Sequence, residues 1–249
     1  TSVTKTPIDI TGFTAEKSSI ELNINGDGST KFLFYYSRNQ QYISASATSG
    51  TYGEGIESVN VSNDYGSKGN GNYYYGQEIT VTVTLKAGYD ILGIFEDDKK
   101  VSETLEYKFK VEHINRTFIA KANIVRYFIT YYGIEGATFD GSTTNPNPGA
   151  YTVKDTFTLV NPELGGSDFQ GWSGTFISED AKEKVVTIEN MATDLEFTAW
   201  FGENEYVIEY DFAGGQKAEG GSYPVRYTKS TPTISPTTPV RLGYTFAGW

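Results

Sequence analysis

A short glycine and aromatic motif that recurs along the chain constrains its fold more than any other feature. Residues 166–172 read GSDFQGW, and residues 243–249 read GYTFAGW, 77 positions later. Weaker copies begin at Gly88 and Gly12, which lie 78 and 76 positions before the next copy. A fixed spacing of this size is typical of tandem modules, each of them a small supersecondary unit. We therefore expect an array of small modules rather than one large domain.

Strand-like segments on both sides of the motif recur at a similar spacing and predict the module boundaries. Residues 127–136 match 206–215, and residues 118–122 match 197–201, each pair 79 positions apart. The four predicted segments are 1–40, the C-terminal half of a module; 41–125 and 126–203, two whole modules; and 204–249, the N-terminal half of a further, truncated module. Because the connectors are only a few residues long, we expect a semi-rigid, elongated array.

Within a module the hydrophobic pattern has the period of a β-strand. Residues 79–85, ITVTVTL, alternate apolar residues with threonine, as a strand with one buried and one solvated face does. Residues 184–188 and 206–210 alternate in the same way, and clusters rich in Gly and Asn separate such runs. Helical periodicity is nearly absent, although residues 178–184 are expected to form one or two turns with Ser178 as N-cap. The predicted fold class is mainly β with little helix.

The composition excludes several classes of site and partner. Since the chain has no cysteine, it can form neither a disulfide nor a zinc ribbon. Its net charge of −11 repels polyanions, so nucleic acid is not an expected partner. No apolar run is long enough to span a bilayer, so we do not expect a membrane-embedded protein. The chain starts without methionine and ends inside a repeat, so we expect it to be a piece of a longer protein.

The repeated motifs resemble the Listeria–Bacteroides repeat family, which includes the B-repeat of internalin-type surface proteins. Residues 204–249 match best, with the strand YVIEY, a Gly-Gly pair and the GYTFAGW motif. Residues 126–203 are similar to a fuller copy, with FQGW and the closing strand FTAWF. Residues 41–125 are similar to the divergent form, although Ile94 stands where the family usually has tryptophan. Residues 1–40 resemble the end of a module.

This resemblance implies tandem β-grasp-like modules, ubiquitin-like in outline, in the stalk of a bacterial adhesin. We expect a non-enzymatic spacer, without a cofactor, that projects a distal binding domain from the cell. The expected location is extracellular, on the bacterial surface, with cell-wall anchoring in the full-length protein.

The candidate ligand-binding residues are three consecutive tyrosines, Tyr73, Tyr74 and Tyr75. They follow Gly71 and Asn72, and tyrosine beside Gly and Asn is typical of adaptable recognition surfaces. The alternative interpretation of the three is an ordinary strand edge. A partner bound there would be a host surface protein or a glycan, which gives a second functional hypothesis, direct binding by residues 41–125.

The other candidate residues favour structural interpretations. His113 is the only histidine and is expected at an exposed strand position. Asp27 is expected in a tight hairpin turn, because an EF-hand would need glutamate where Phe34 stands, so no metal site is predicted. Trp172 and Trp249 recur in phase with the motif, which favours a core role over sugar stacking. A hydrolase is the least favoured function, because the acidic residues 96–98 precede lysines and indicate a solvated loop.

Both ends of the chain are expected to be half modules. We therefore expect residues 204–249 to be either incompletely folded or completed by pairing with another segment. Residues 1–40 of a neighbouring chain are one such segment.

Overall fold

The computed structural model describes residues 1–67 and 69–249, and the fold is mainly β, as the alternating patterns predict. Contacts along the chain divide it into two compact units, Thr1–Arg126 and Tyr127–Trp249. The finer division into four segments stays a prediction. No helix in the described part of the chain is long and apolar enough to cross a bilayer.

The strands of each unit are short. Those of the first unit are β1 (Ser2–Lys5), β2 (Phe13–Ala15), β3 (Ile20–Asn23), β4 (Tyr36–Arg38), β5 (Gln40–Ala47), β6 (Ile56–Asn63), β7 (Gly66–Ser67), β8 (Gly71–Tyr74), β9 (Glu78–Leu85), β10 (Tyr89–Glu96), β11 (Lys99–Ser102), β12 (Glu106–Lys110) and β13 (Arg116–Ile124). Those of the second unit are β14 (Tyr127–Tyr132), β15 (Ala150–Tyr151), β16 (Phe157–Thr158), β17 (Ser167–Gly174), β18 (Thr187–Ile188), β19 (Leu195–Glu203), β20 (Tyr206–Val207) and β21 (Arg226–Tyr227).

The main sheet of the first unit has a parallel strand pair at its centre. Its strand order is β11-β10-β13-β5-β8, and β5 pairs in parallel with β13, so that Ala45 lies opposite Phe118. A second sheet, ordered β12-β9-β6-β7, shares one hydrophobic core with it. Strand β9 buries Ile79, Val81 and Val83 in that core and turns its threonines outward, so the strand predicted over 79–85 is confirmed.

The second unit repeats this arrangement with fewer strands. Its main sheet is ordered β15-β14-β19-β17, and β14 pairs in parallel with β19, so that Tyr131 lies opposite Phe197. Strands β16 and β18 form a separate ladder over the same core, as β9 and β12 do in the first unit. Trp172 and Phe197 are fully buried there, so the predicted core role of Trp172 is confirmed. Its indole Nε1 donates to Asn161 Oδ1 at 3.0 Å.

The two ends of the chain form small ladders of their own. Near the N-terminus β1 pairs with β3 and β2 pairs with β4, both antiparallel. Near the C-terminus β20 pairs with β21, with Tyr206 opposite Tyr227. That register matches the β14–β15 pair, in which Tyr127 lies opposite Tyr151.

Two backbone positions explain the recurring glycines. The first glycine of the motif has φ between 79° and 81° in all four copies, Gly12, Gly88, Gly166 and Gly243, where other residues are strained. The second glycine, Gly171 in the best copy, has φ 135° and lies at a register shift between β17 and β19. In the copies that begin at Gly88 and Gly166, the motif therefore begins a strand with a left-handed turn and bends it with a bulge.

The local predictions agree with the structure to different degrees. Residues 178–184 contain one helical turn, the 3-10 helix Glu179–Ala181, with Ser178 at its N-cap as predicted, although the Ser178 side chain makes no cap bond. The alternating run 206–210 forms a strand only over Tyr206–Val207. The solvated loop predicted at 96–98 is the exposed two-residue turn of the β10–β11 hairpin, in which Asp97 and Asp98 adopt positive φ angles of 46° and 60°, although Glu96 itself ends β10 and is half-buried.

The turn at Asp27 is present, but it does not connect paired strands. The side chain of Asp27 accepts a bond from the Ser29 amide at 3.0 Å, and this bonding lowers the pKa of the carboxyl group. Strand β3 before the turn pairs with β1, and the residues after it, 29–35, form no strand. The hairpin predicted there is therefore wrong.

A half-buried ion pair within the main sheet of the first unit packs against a ring of the second sheet. The guanidinium of Arg116 donates to both carboxylate oxygens of Glu96, at 2.6 and 2.5 Å, and lies 4.3 Å from the centre of the Phe109 ring. The hydrogen bonds to Glu96 raise the pKa of Arg116 further above its ordinary value. The planar fork of arginine suits this bidentate and stacked position.

We predict that Arg116→Met lowers the free energy of unfolding by about 2 kcal/mol, because Glu96 is left half-buried without its partner. Urea denaturation followed by fluorescence measures the change. The matched control is Glu103→Gln, which removes an exposed pair with Lys100 and is expected to cost less than about 0.5 kcal/mol. Equal losses in the two variants would contradict the structural role of Arg116.

Candidate functional site

The pleat of strand β8 separates the three candidate tyrosines. Tyr73 is 1% exposed, and its hydroxyl donates to the carbonyl oxygen of Gly69 at 2.5 Å. Burial also raises the pKa of Tyr73. Tyr74, the next residue, is 41% exposed. The expected exposure is therefore wrong for Tyr73, because successive residues of a strand face opposite sides of the sheet.

Tyr75 lies beyond the end of β8 and joins the N-terminal residues to the main sheet. Its ring packs on Gly12, where an added Cβ would lie 2.0 Å from Tyr75 Cδ1. The Arg38 side chain donates from Nε to the carbonyl oxygen of Tyr75 at 2.6 Å. The Tyr75 amide donates in turn to Asn39 at 2.8 Å. These contacts give Tyr75 a structural role within the first unit.

Tyr42 is a surface residue that the sequence analysis missed. Gln41 lies opposite Tyr73 in the β5–β8 ladder, so Tyr42 and Tyr74 lie on the other, exposed face, diagonal to each other. Tyr42 is 47% exposed. The alternation along residues 40–47 could have indicated that Tyr42 is exposed. The pairing register of β5 with β8 is needed to place Tyr42 beside Tyr74. The candidate surface is thus the pair Tyr42 and Tyr74, which we call the tyrosine pair.

His113 lies outside the strand in which the sequence analysis placed it. His113 is exposed and lies in a loop after β12, with its ring 4.9 Å from that of Tyr75, so its predicted strand position is wrong. Strand β12 ends at Lys110 because the backbone of the buried Val111 is bonded elsewhere: its amide donates to the carbonyl oxygen of Gln77, and its carbonyl oxygen accepts from the amide of Gly76. Within the described residues, no three His, Cys, Asp or Glu side chains are grouped as a metal site would need.

An open groove lies in the C-terminal residues. It has a volume of about 950 Å³ and is lined by residues 211–216 and 238–249. Large apolar side chains near it are exposed, among them Leu242, Tyr244 and Trp249, the last by 55%. We call this surface, residues 206–212 with 240–249, the aromatic face. A contiguous apolar surface that is exposed to solvent is often an interaction site.

The aromatic face repeats the contacts of a buried core. The Tyr210 hydroxyl donates to the carbonyl oxygen of Pro224 at 2.9 Å, as Tyr131 does to Pro148 at 3.0 Å. The Tyr210 ring lies 5.4 Å from that of Trp249 at an angle of 65°. The corresponding distance from Tyr131 to Trp172 is 5.9 Å, at 62°. Burial raises the pKa of Tyr131 well above its ordinary value.

The difference between the two sites is a covering strand. In the second unit β19 lies beside β14 and places Phe197 against the rings of Tyr131 and Trp172. Residues 208–211 hold the position equivalent to 129–132, yet among the described residues no strand pairs along them beyond the single bond from the Ile208 amide to Val225. The aromatic face is therefore a core surface that is open to solvent.

Comparison with known proteins leaves the family of this chain unassigned. No protein-family model matches the chain, and no curated protein matches it significantly. The resemblance to surface-protein repeats consequently stays a prediction that depends on the motifs themselves.

We predict that Tyr73→Phe lowers the free energy of unfolding by about 1 kcal/mol, because the carbonyl oxygen of Gly69 loses its donor. The control Tyr74→Phe changes an exposed hydroxyl and is expected to stay within about 0.5 kcal/mol of the parent protein. Thermal and urea denaturation of both variants measure the difference. A larger loss for Tyr74→Phe would contradict the assignment of Tyr73 to the core.

Proposed function

We propose that this chain is a non-enzymatic spacer in the stalk of a bacterial cell-surface protein, built from tandem β-grasp-like modules. The observation that carries the proposal is the parallel pairing of the first and last strands of each module, β5 with β13 and β14 with β19. The family resemblance contributes the cell-surface setting and the wall-anchored location. The recurrence of one strand order in both units supports the modular part of the proposal.

The parallel pair suits a chain that bears tension. The chain enters the module of residues 126–203 at the start of β14 and leaves it at the end of β19. When the two ends are pulled apart, parallel neighbours slide along each other, so the ladder is loaded in shear. Several hydrogen bonds must then break together, whereas a ladder pulled open from one end loses them singly. A module of this topology would resist extension, as a stalk requires.

The short connection between the units supports a semi-rigid array. Strand β13 ends at Ile124 and β14 begins at Tyr127, so only two residues separate the strands. A connector of this length restricts the directions that neighbouring modules can take.

We predict that the protein is elongated in dilute solution. Small-angle X-ray scattering should give a radius of gyration well above the roughly 18 Å expected of a compact chain of this length. A variant with about ten Gly and Ser residues inserted between Arg126 and Tyr127 is the matched control and should show a broader distribution of dimensions. A radius near the compact value for the parent protein would contradict the stalk.

We predict that Thr130→Pro lowers the force needed to unfold the second unit in single-molecule pulling. The Phe128 amide donates to Asp194 just before β19, so by alternation the Thr130 amide also faces β19. Proline removes that donor, and the exposed side chain leaves the core unchanged. Thr130→Ala is the control and should keep the parent force. Circular dichroism verifies that both variants are folded, and equal forces would contradict the shear mechanism.

The alternative function is direct binding of a host protein or glycan by the tyrosine pair of residues 41–125. Its support is the exposed, adjacent placement of Tyr42 and Tyr74 on one edge of the main sheet. A glycan array and pull-down with the protein would reveal a ligand. The double variant Tyr42→Ser with Tyr74→Ser should lose that ligand while keeping its stability.

A further inference from the structure

We propose that a groove on the outer face of the second unit's main sheet binds a neutral sugar ring of a glycan. The groove has a volume of about 410 Å³, which lies within the range of small-ligand sites. Its lining includes the polar side chains of Tyr132, Ser173, Ser178, Glu179, Glu196 and Thr198, and we call it the hydroxyl groove. The proposal does not depend on the stalk role, so its failure would leave the proposed function intact.

The floor of the hydroxyl groove is a row of three hydroxyl side chains across the main sheet. Tyr132 lies opposite Thr198 in the β14–β19 ladder, and Thr198 lies opposite Ser173 in the β19–β17 ladder. Facing residues on neighbouring strands point to the same side of a sheet. Phe197 and Trp172, which precede Thr198 and Ser173 along their strands, are fully buried in the core. The row therefore points away from the core, because successive residues of a strand alternate.

One wall of the groove is a turn that hydrogen bonds hold against strand β19. Gly174 and Ile177 exchange two backbone bonds, and the 3-10 helix Glu179–Ala181 begins two residues later. The Thr175 amide donates to the carbonyl oxygen of Glu196 at 3.0 Å, and the Glu196 amide donates to Thr175 Oγ1 at 2.8 Å. The groove is thus formed before a ligand arrives, which lowers the entropic cost of binding.

The buried Ser173 gives the groove a directed hydrogen-bond donor. Ser173 is 3% exposed, and the Trp200 indole donates from Nε1 to its Oγ at 2.7 Å. Because an indole N–H only donates, Ser173 is the acceptor in this bond, and its own hydroxyl hydrogen needs a further acceptor. Among the described residues it has none. A ligand in the groove that accepts from Ser173 removes the cost of an unpaired buried donor.

The groups around Ser173 select a ligand that both donates and accepts. Ionised Glu179 and Glu196 only accept hydrogen bonds, whereas Ser173 offers a donor. An ammonium group has no acceptor for the Ser173 hydrogen, and an anion is repelled by the two carboxylates. A sugar carries several hydroxyl groups, each of which accepts and donates at once. A neutral sugar therefore satisfies both kinds of group.

Tyr132 supplies a surface for the apolar face of the sugar ring. Its side chain is 46% exposed, and its amphipathic ring combines an apolar body with a polar tip. One face of the Trp200 ring, by contrast, is occupied by Lys182, whose Nζ lies 5.0 Å from the ring centre. Lys182 is held there because its Nζ donates to the carbonyl oxygen of Glu179 at 2.5 Å. Tyr132 is consequently the aromatic residue that the sugar reaches.

The NMR signal of the Trp200 indole N–H group tests the proposal, because this group is bonded to Ser173. All three tryptophans lie in the second unit, and Trp200→Phe assigns the signal. The neutral probes are the methyl glycosides of glucose, galactose, mannose and N-acetylglucosamine. At least one of them should shift the Trp200 signal saturably and leave that of Trp172 in place. Methylammonium chloride and sodium glucuronate, as cationic and anionic probes, should not shift it.

Two variants connect the shift to the groove. Thr198→Val removes a hydroxyl while keeping a β-branched residue in the strand, and Glu179→Gln removes the charge of an exposed carboxylate. Each should weaken binding of the glycoside at least fivefold, because a hydrogen bond to the sugar is lost. Glu189→Gln, an exposed change outside the groove, is the matched control and should bind as the parent protein does. The double variant Tyr42→Ser with Tyr74→Ser should also bind normally, which separates this site from the tyrosine pair.

Three outcomes would overturn the proposal. They are the failure of all four glycosides to shift the Trp200 signal, a stronger shift with methylammonium or glucuronate, and unchanged affinity in both groove variants. None of them depends on whether the protein is elongated, so sugar binding and the stalk are tested separately.

Discussion

Each unit is organised around a parallel ladder between two strands that are far apart in the sequence, β5 with β13 in the first unit and β14 with β19 in the second. The pairing of β5 with β13 closes a loop that contains the other strands of the module. Loop closure over that distance is costly, so the ladder must be supported by a core. The aromatic residues Phe118 and Phe197, one in each closing strand, fill that core and are fully buried. The strand topology of each unit and the packing of its core thus depend on the same pair of strands.

The glycine motif allows the remaining strands to reach this ladder. The left-handed glycine, Gly166 for example, starts the strand beside the closing strand, and the bulge at Gly171 bends it. The bend lets Trp172 enter the core, where its ring meets Tyr131 and Phe197. Where the closing strand is absent from the ladder, as beside Tyr210, the same aromatic residues assemble but remain in solvent. The motif by itself therefore sets the local backbone geometry, but the aromatic side chains are buried only where the closing strand covers them.

The same ladder supports the proposed function. The parallel pair joins the first strand of a module to its last strand, so a pull on the two ends of the module loads the ladder in shear. We propose that this is how a module resists extension.

Period-two alternation and the spaced glycines were enough to predict a mainly β fold, the strand over 79–85 and the core role of Trp172, because these depend on local backbone geometry. The strand order and the burial of Tyr73 depend on pairing between distant residues, which one sequence does not specify. Tyr73 and Tyr74 are chemically identical, and only the register of β8 on β5 assigns one to the core and the other to the surface beside Tyr42. The sequence by itself determined the period and the turns, and the tertiary structure alone decided which strands pair, since side-chain burial is a property of the assembled sheets.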